Sequence, residues 1–146
     1  MVNRIAHFTR IETPDKGTVL LFTIRRIHSR SRLQALRDAG RGLRDAWGSQ
    51  INLRIHAYAA VGVIALGLGV GLAVMEWLWV SFAIGLVFFA ELMNTAIEET
   101  INLAVGLRPD PLARKVKDIA AGCVLVSACI AVVIGMLTFI PHLWRA

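Results

Sequence analysis

The stretch Trp77-Leu-Trp-Val-Ser-Phe-Ala-Ile-Gly-Leu-Val-Phe-Phe-Ala-Glu91-Leu-Met-Asn94-Thr-Ala-Ile-Glu98-Glu99-Thr-Ile-Asn102-Leu103 decides how this chain folds. Its first fourteen residues carry no charge, and its second half repeats polar side chains at three- and four-residue intervals. An apolar run of about 20 residues spans the ~30 Å hydrocarbon core of a bilayer as a helix. In lipid a helix also satisfies its own backbone hydrogen bonds. The stretch therefore reads as a membrane helix with one polar face. At about 100° per residue, Glu91, Asn94, Glu98 and Asn102 share a narrow arc, with Thr95 at its edge and Glu99 farther round. Ionisable groups inside a membrane are costly and mark a pathway or a site. This face must turn toward protein, water, a cation or a substrate.

Two further apolar runs flank it, one from about Ile55 to Met75 and one from about Ile119 to Trp144. The 146 residues are 56% apolar, with a mean hydropathy of +0.62, oilier than a soluble domain of this length, where about 45–50% is usual. The expected fold is an all-α integral membrane protein with three transmembrane helices. Of the 16 Lys and Arg residues, 11 lie between Arg4 and Arg54, and four more, Arg108, Arg114, Lys115 and Lys117, lie between the second and third runs. The connection between the first two runs holds Glu76 and no basic residue. Positive charge stays in the cytoplasm. The amino terminus and the 108–117 connection are expected there, and the Met75–Trp77 turn and the carboxyl terminus on the other side. Trp77, Trp79 and Trp144 fall at that outer boundary, where interfacial aromatics belong.

Ahead of the first run, Leu33, Leu36, Leu43 and Trp47 recur at roughly helical spacing, interleaved with Arg32, Arg37, Arg41 and Arg44. This predicts an amphipathic helix over 31–50 lying on the membrane surface, although Gly40 and Gly42 weaken it. The basic face suits anionic headgroups better than nucleic acid. Residues 1–30 carry little signal. The run Val19–Ile24 is too short to span a bilayer, and no apolar stretch with a small-residue cleavage site marks a cleaved signal peptide. There is no internal repeat. Cys123 and Cys129, six apart in an apolar run, point to different helix faces and imply neither a disulfide nor a metal framework. Gly67 and Gly71, four apart, offer either a close helix approach or only the ordinary glycine content of membrane helices.

The polar face has several readings. It could hold helices together or line an ion path, making the chain a non-enzymatic membrane protein. It could also be a site. Carboxylates and carboxamide oxygens suit a hard cation such as Mg²⁺, and the basic residues at 108–117 suit phosphate oxygens. A partly desolvated Glu can act as a proton acceptor. Together these parts match phosphoryl transfer to a membrane alcohol. Asp118 has the alternative of capping the third helix, and His56 of being an interfacial histidine with no catalytic task.

The segments Glu91-Leu-Met-Asn94-Thr-Ala-Ile-Glu98-Glu99 and Lys117-Asp118-Ile-Ala-Ala-Gly-Cys-Val-Leu, with their separation and the three-span layout, resemble the bacterial diacylglycerol kinase family, which includes undecaprenol kinases. Upstream, Ala39-Gly-Arg-Gly42-Leu-Arg-Asp-Ala-Trp47 and Asn52-Leu-Arg54-Ile-His56 are similar to its surface helix and the start of its first span. The resemblance covers about Leu36 to Trp144, which makes residues 1–30 an added extension and 31–146 the membrane domain. It implies a multi-pass lipid kinase of the bacterial inner membrane that uses ATP and Mg²⁺ and works as a homotrimer. The acceptor would be diacylglycerol, giving phosphatidic acid, or undecaprenol, giving undecaprenyl phosphate. Asn52-Leu-Arg54-Ile-His56 and Asn94-Thr-Ala are more similar to the undecaprenol kinase branch. The resemblance makes Glu91 the catalytic base, Asn94 a polar active-site residue beside it, Glu98 a metal-binding carboxylate near the nucleotide, and Lys117 and Asp118 the nucleotide-proximal pair. Trp47, Arg54 and His56 fall on the substrate and surface side. Two positions depart from the family pattern. Gln50 stands where a metal-binding Glu is common, and Asn102 where an Asp is common. Both remove negative charge and leave open a weak or inactive kinase, with Glu99 as a partial replacement at a less favourable angle.

Overall fold

The computed structural model describes residues 31–106 and 108–144, and the expected extension over 1–30 lies outside them. Four helices follow one another: α1 (Arg32–Ser49), α2 (Ile51–Val70), α3 (Val74–Val105) and α4 (Pro111–Leu143). No strand occurs among the described residues. Ser31 and Gln34 open α1 by reciprocal bonds. The Gln34 N–H donates to Ser31 Oγ and the Ser31 N–H to Gln34 Oε1, each at 3.2 Å, so two otherwise orphaned donors are satisfied. Leu33, Leu36, Leu43 and Trp47 of α1 are exposed.

Helices α2, α3 and α4 are each long and apolar enough to cross a membrane. At 1.5 Å per residue they measure about 30, 48 and 50 Å, so only α2 matches a bilayer core and the other two outrun it. The α2–α3 turn falls earlier than the hydropathy implies, at Gly71–Ala73, and Met75 and Trp77 lie inside α3. Three local features set this position. Gly71 takes the left-handed conformation, with φ of 73°, and the N–H groups of Gly71 and Leu72 both donate to Gly67 O at 3.1 Å, a glycine stop of the usual kind. The Glu76 carboxylate then accepts the Ala73 N–H at 2.7 Å and starts α3. At the other end, the Gly106 N–H closes α3 on Asn102 O. Asp110 caps α4 by accepting from the N–H of Leu112 and Ala113 at 2.7 and 3.0 Å, with Pro111 in the first turn. The capping alternative for Asp118 is therefore excluded. It sits two turns inside α4, which begins eight residues before the apolar run at Ile119.

The interior is built of small side chains. Val80, Ala83, Val87 and Ala90 of α3, Ala113 and Ala120 of α4 and Leu53 of α2 are buried, and among the described residues no large side chain is fully enclosed. Phe82, Phe89, Leu125, Val133 and Leu137 face outward. An exposed apolar exterior over a small-residue interior is what lipid solvation permits, since packing rather than hydrophobic exclusion joins membrane helices. Gly67 is one such contact. A Cβ there would come within 2.9 Å of both Leu72 Cδ1 and the Trp77 ring, whereas one at Gly69 would meet nothing within 4 Å. Gly67→Ala is expected to destabilise the protein by about 1–3 kcal/mol through overpacking. Melting the detergent-solubilised variants side by side checks this, with Gly69→Ala expected to match the parent.

Candidate active site

The polar arc of α3 is oriented as its periodicity requires. Glu91 and Asn94 are buried, Glu98 is half-buried, and Glu99 and Asn102 are exposed. Successive rungs of this face meet different partners. At the deepest rung, Glu91 is 3% exposed and its Oε1 lies 3.2 Å from His56 Nε2 on α2. One turn on, Asn94 Nδ2 donates to Glu98 Oε1 at 3.1 Å. At the last rung, Asn102 Oδ1 accepts from Lys117 Nζ of α4 at 2.6 Å. Thr95 spends its hydroxyl on the Glu91 backbone carbonyl at 3.0 Å and so leaves the chemistry to the carboxylates and amides.

Helix rise sets the spacing of these rungs. Glu98 lies about 10 Å and Asn102 about 16 Å beyond Glu91 along α3. His56 is five residues into α2, or about 7.5 Å from its start. If α2 spans the hydrocarbon core, Glu91 sits just inside the boundary, while Glu98, Asn102 and Lys117 stand beyond it. On that placement the stripe straddles the membrane surface, whereas hydropathy alone places it wholly within the span. The two ends have different surroundings: a buried carboxylate at one, and an exposed basic mouth at the other. That mouth is a recess of about 660 Å³ at the α3–α4 connection, lined among others by Asn102, Arg108, Asp110, Arg114, Lys117 and Asp118.

Lys117 and Asp118 are adjacent in sequence but do not act on the same neighbour. Lys117 is half-buried and reaches back to α3, while Asp118 is exposed and faces Arg114 at 3.9 Å. That exposed pair adds little stability, which leaves both groups available at the mouth. Gln50 is the single residue between α1 and α2. Its backbone N–H donates to Ala46 O at 2.9 Å, and its side chain makes no capping bond. Trp47 is exposed and Arg54 half-buried, and no hydrogen bond joins either side chain to the rungs of α3 among the described residues.

Among the described residues no three His, Cys, Asp or Glu side chains converge as a metal cage. The fit to Mg²⁺ is nevertheless good in kind, because that ion is usually held by one or two carboxylates together with substrate phosphates. Glu98 supplies a carboxylate, and beside it Asn94 Oδ1 is buried without a hydrogen-bond partner. A buried acceptor left unpaired costs free energy and calls for an explanation. A cation or a substrate hydroxyl would satisfy it.

Sequence reasoning found the arc but not its cross-helix partners. The His56–Glu91 contact and the Lys117–Asn102 bond depend on how three helices register against one another, and the Asp110 cap is local. Only the cap had a local signal, Asp110 followed by Pro111. A further pair went unread at the opposite end of the bundle, where His142 Nε2 lies 3.6 Å from Glu76 Oε2.

The family model for prokaryotic diacylglycerol kinase matches residues 37–139. The chain is 43% identical over 105 residues to an undecaprenol kinase of Bacillus subtilis, covering 72% of this chain and 85% of that protein. It is 36% identical over 111 residues to a diacylglycerol kinase of Synechocystis sp., covering 76% of this chain and 63% of that one.

Proposed function

The chain belongs to the prokaryotic diacylglycerol kinase family, and from that premise we propose that it is a membrane lipid kinase whose transfer centre is the Glu91 end of the polar face of α3. The observation that carries this reading is the buried Glu91 carboxylate, joined by one continuous polar face of α3 to a basic mouth. A lipid alcohol lying in the membrane reaches Glu91 from below, and ATP reaches it from the mouth. The hydroxyl oxygen attacks the γ-phosphorus, its proton passes to Glu91, and the bond to the ADP oxygen breaks. Asn94, through its unpartnered Oδ1, orients the hydroxyl or the cation. Lys117 neutralises phosphate charge, and Asp118 lies at the nucleotide end. Glu98 holds Mg²⁺, which when bound neutralises the phosphates. Trp47 and Arg54 belong to the surface where the lipid headgroup approaches.

Several finer features belong to the same proposal. The chain sits in the bacterial inner membrane with its amino terminus and 108–117 connection in the cytoplasm, and α1 lies on that surface through Leu33, Leu36, Leu43 and Trp47. Three copies assemble, so that the site's polar face is covered by neighbouring subunits rather than by lipid. The asymmetry of basic residues supports the orientation, with Arg145 alone at the far end. A reporter fused after Ala146 is expected outside the cytoplasm, and a cytoplasmic signal would contradict the arrangement.

Gln50 offers a test of the metal site. If it stands near the cation as the family pattern implies, Gln50→Glu adds a charged ligand and should lower the Mg²⁺ concentration for half-maximal rate. The expected gain is about 1–2 kcal/mol, a charged contact against a neutral one. Mg²⁺ titration at saturating ATP checks this, and superimposable curves would place Gln50 away from the cation. The kinase reading as a whole is tested by ADP release from purified protein. Release should rise on adding a lipid alcohol, and release indifferent to lipid would contradict it.

A further inference from the structure

The bond from Lys117 Nζ to Asn102 Oδ1, at 2.6 Å, ties the last turn of α3 to α4 beside the basic recess. It is a cation held by a neutral group. Five charged side chains line the recess. Arg108, Arg114 and Lys117 are cations, and Asp110 and Asp118 are carboxylates. Both carboxylates already have partners. Asp110 accepts the N–H groups of Leu112 and Ala113, and Asp118 faces Arg114 at 3.9 Å. The lining therefore carries one net positive charge, which the carboxamide at Lys117 leaves uncompensated. A carboxylate at position 102 would bring the balance to zero.

The same bond decides which donors are left. An ammonium has three N–H groups, and a carboxamide has two. With Asn102 Oδ1 turned to Lys117, the Asn102 Nδ2 side of the amide offers only donors. Lys117 keeps two of its own. A lysine side chain loses much rotamer freedom when it is fixed, and the Asn102 bond fixes it before a ligand arrives, which lowers the cost of binding. We propose that Asn102 is a positioning residue for the nucleotide: it holds the Lys117 ammonium at the mouth without neutralising it, so that the recess meets a polyphosphate with ordered donors and a net positive charge. The inference rests on the lipid kinase reading and gives the last rung of the polar face a task in it. Because Asn102 is exposed, the effect is electrostatic in a setting that salt can screen.

The test titrates purified full-length protein with inorganic triphosphate in EDTA, at low and at physiological ionic strength, and measures KM for ATP with a lipid alcohol and Mg²⁺. Asn102→Asp keeps an oxygen able to accept from Lys117 but cancels its charge. Its Kd for triphosphate should rise about 10-fold at low salt, the difference between a charge-assisted and a neutral contact. Its dependence on salt should be shallower than the parent's. Asn102→Ala loses the bond and keeps the charge, so Kd should rise by less, with the parent's salt dependence. KM for ATP should follow the same order. A merely structural role predicts the reverse order, since Asp preserves the link between α3 and α4 and Ala breaks it. That reverse order would overturn the inference. Lipid phosphorylation with a parent-like KM for ATP in Asn102→Asp would overturn it with the kinase reading intact. The expected order of triphosphate affinities in a protein that phosphorylates no lipid would support the role of Asn102 while sinking the kinase reading.

Discussion

Replacing Glu91 by Gln is expected to slow lipid phosphorylation by about 100- to 10,000-fold, the range contributed by a positioned general base. The amide has the same shape as the carboxylate, so the α2–α3 contact seen at 3.2 Å from His56 Nε2 is kept sterically. What it loses is the capacity to take the hydroxyl proton. Nucleotide binding should be nearly unaffected, because Lys117 and its Asn102 partner lie about 16 Å farther along α3. Turnover measured together with the affinity for a non-hydrolysable ATP analogue separates these outcomes. Parent-level turnover would remove Glu91 from the mechanism, and equal loss of turnover and nucleotide affinity would show a structural role instead.

The second large effect is expected at Glu98. Glu98→Gln retains an oxygen able to accept from Asn94 Nδ2, so the local hydrogen bond is conserved and only the negative charge is removed. A hard cation held by few ligands depends on each charge. The Mg²⁺ concentration for half-maximal rate should rise about 10-fold, corresponding to roughly 1.4 kcal/mol. Raising Mg²⁺ should restore most of the rate. This rescue distinguishes the two acids, since no Mg²⁺ concentration should restore Glu91→Gln. An unchanged Mg²⁺ dependence would assign Glu98 to helix packing through Asn94.

These two residues also show how far the chain can be read without coordinates. The common face of Glu91, Asn94, Glu98 and Asn102 follows from helical period alone, and the structure keeps it. The three spans follow from hydropathy, but their ends do not. Val105 and Pro111 bound helices that continue past the oily runs, because a helix leaving lipid need not stop where its hydrophobicity does. The α2–α3 turn falls at Gly71 rather than near Trp77 because a left-handed glycine and the Glu76 cap act locally, whereas hydropathy averages over many residues. The pairing of His56 with Glu91, 35 positions apart, is a matter of helix register. No spacing within either segment encodes it, and the unpaired Asn94 Oδ1 is equally invisible until its surroundings are known.

The central claim is that this membrane protein moves a phosphoryl group onto a lipid alcohol at Glu91. Incubating the purified protein with γ-labelled ATP, Mg²⁺ and a mixture of C55 polyprenol and dioleoylglycerol, then extracting into organic solvent, tests it most directly. The expected result is label in the lipid fraction from the parent protein and next to none from Glu91→Gln. Label that stays in ATP, or passes only to inorganic phosphate, would contradict the claim.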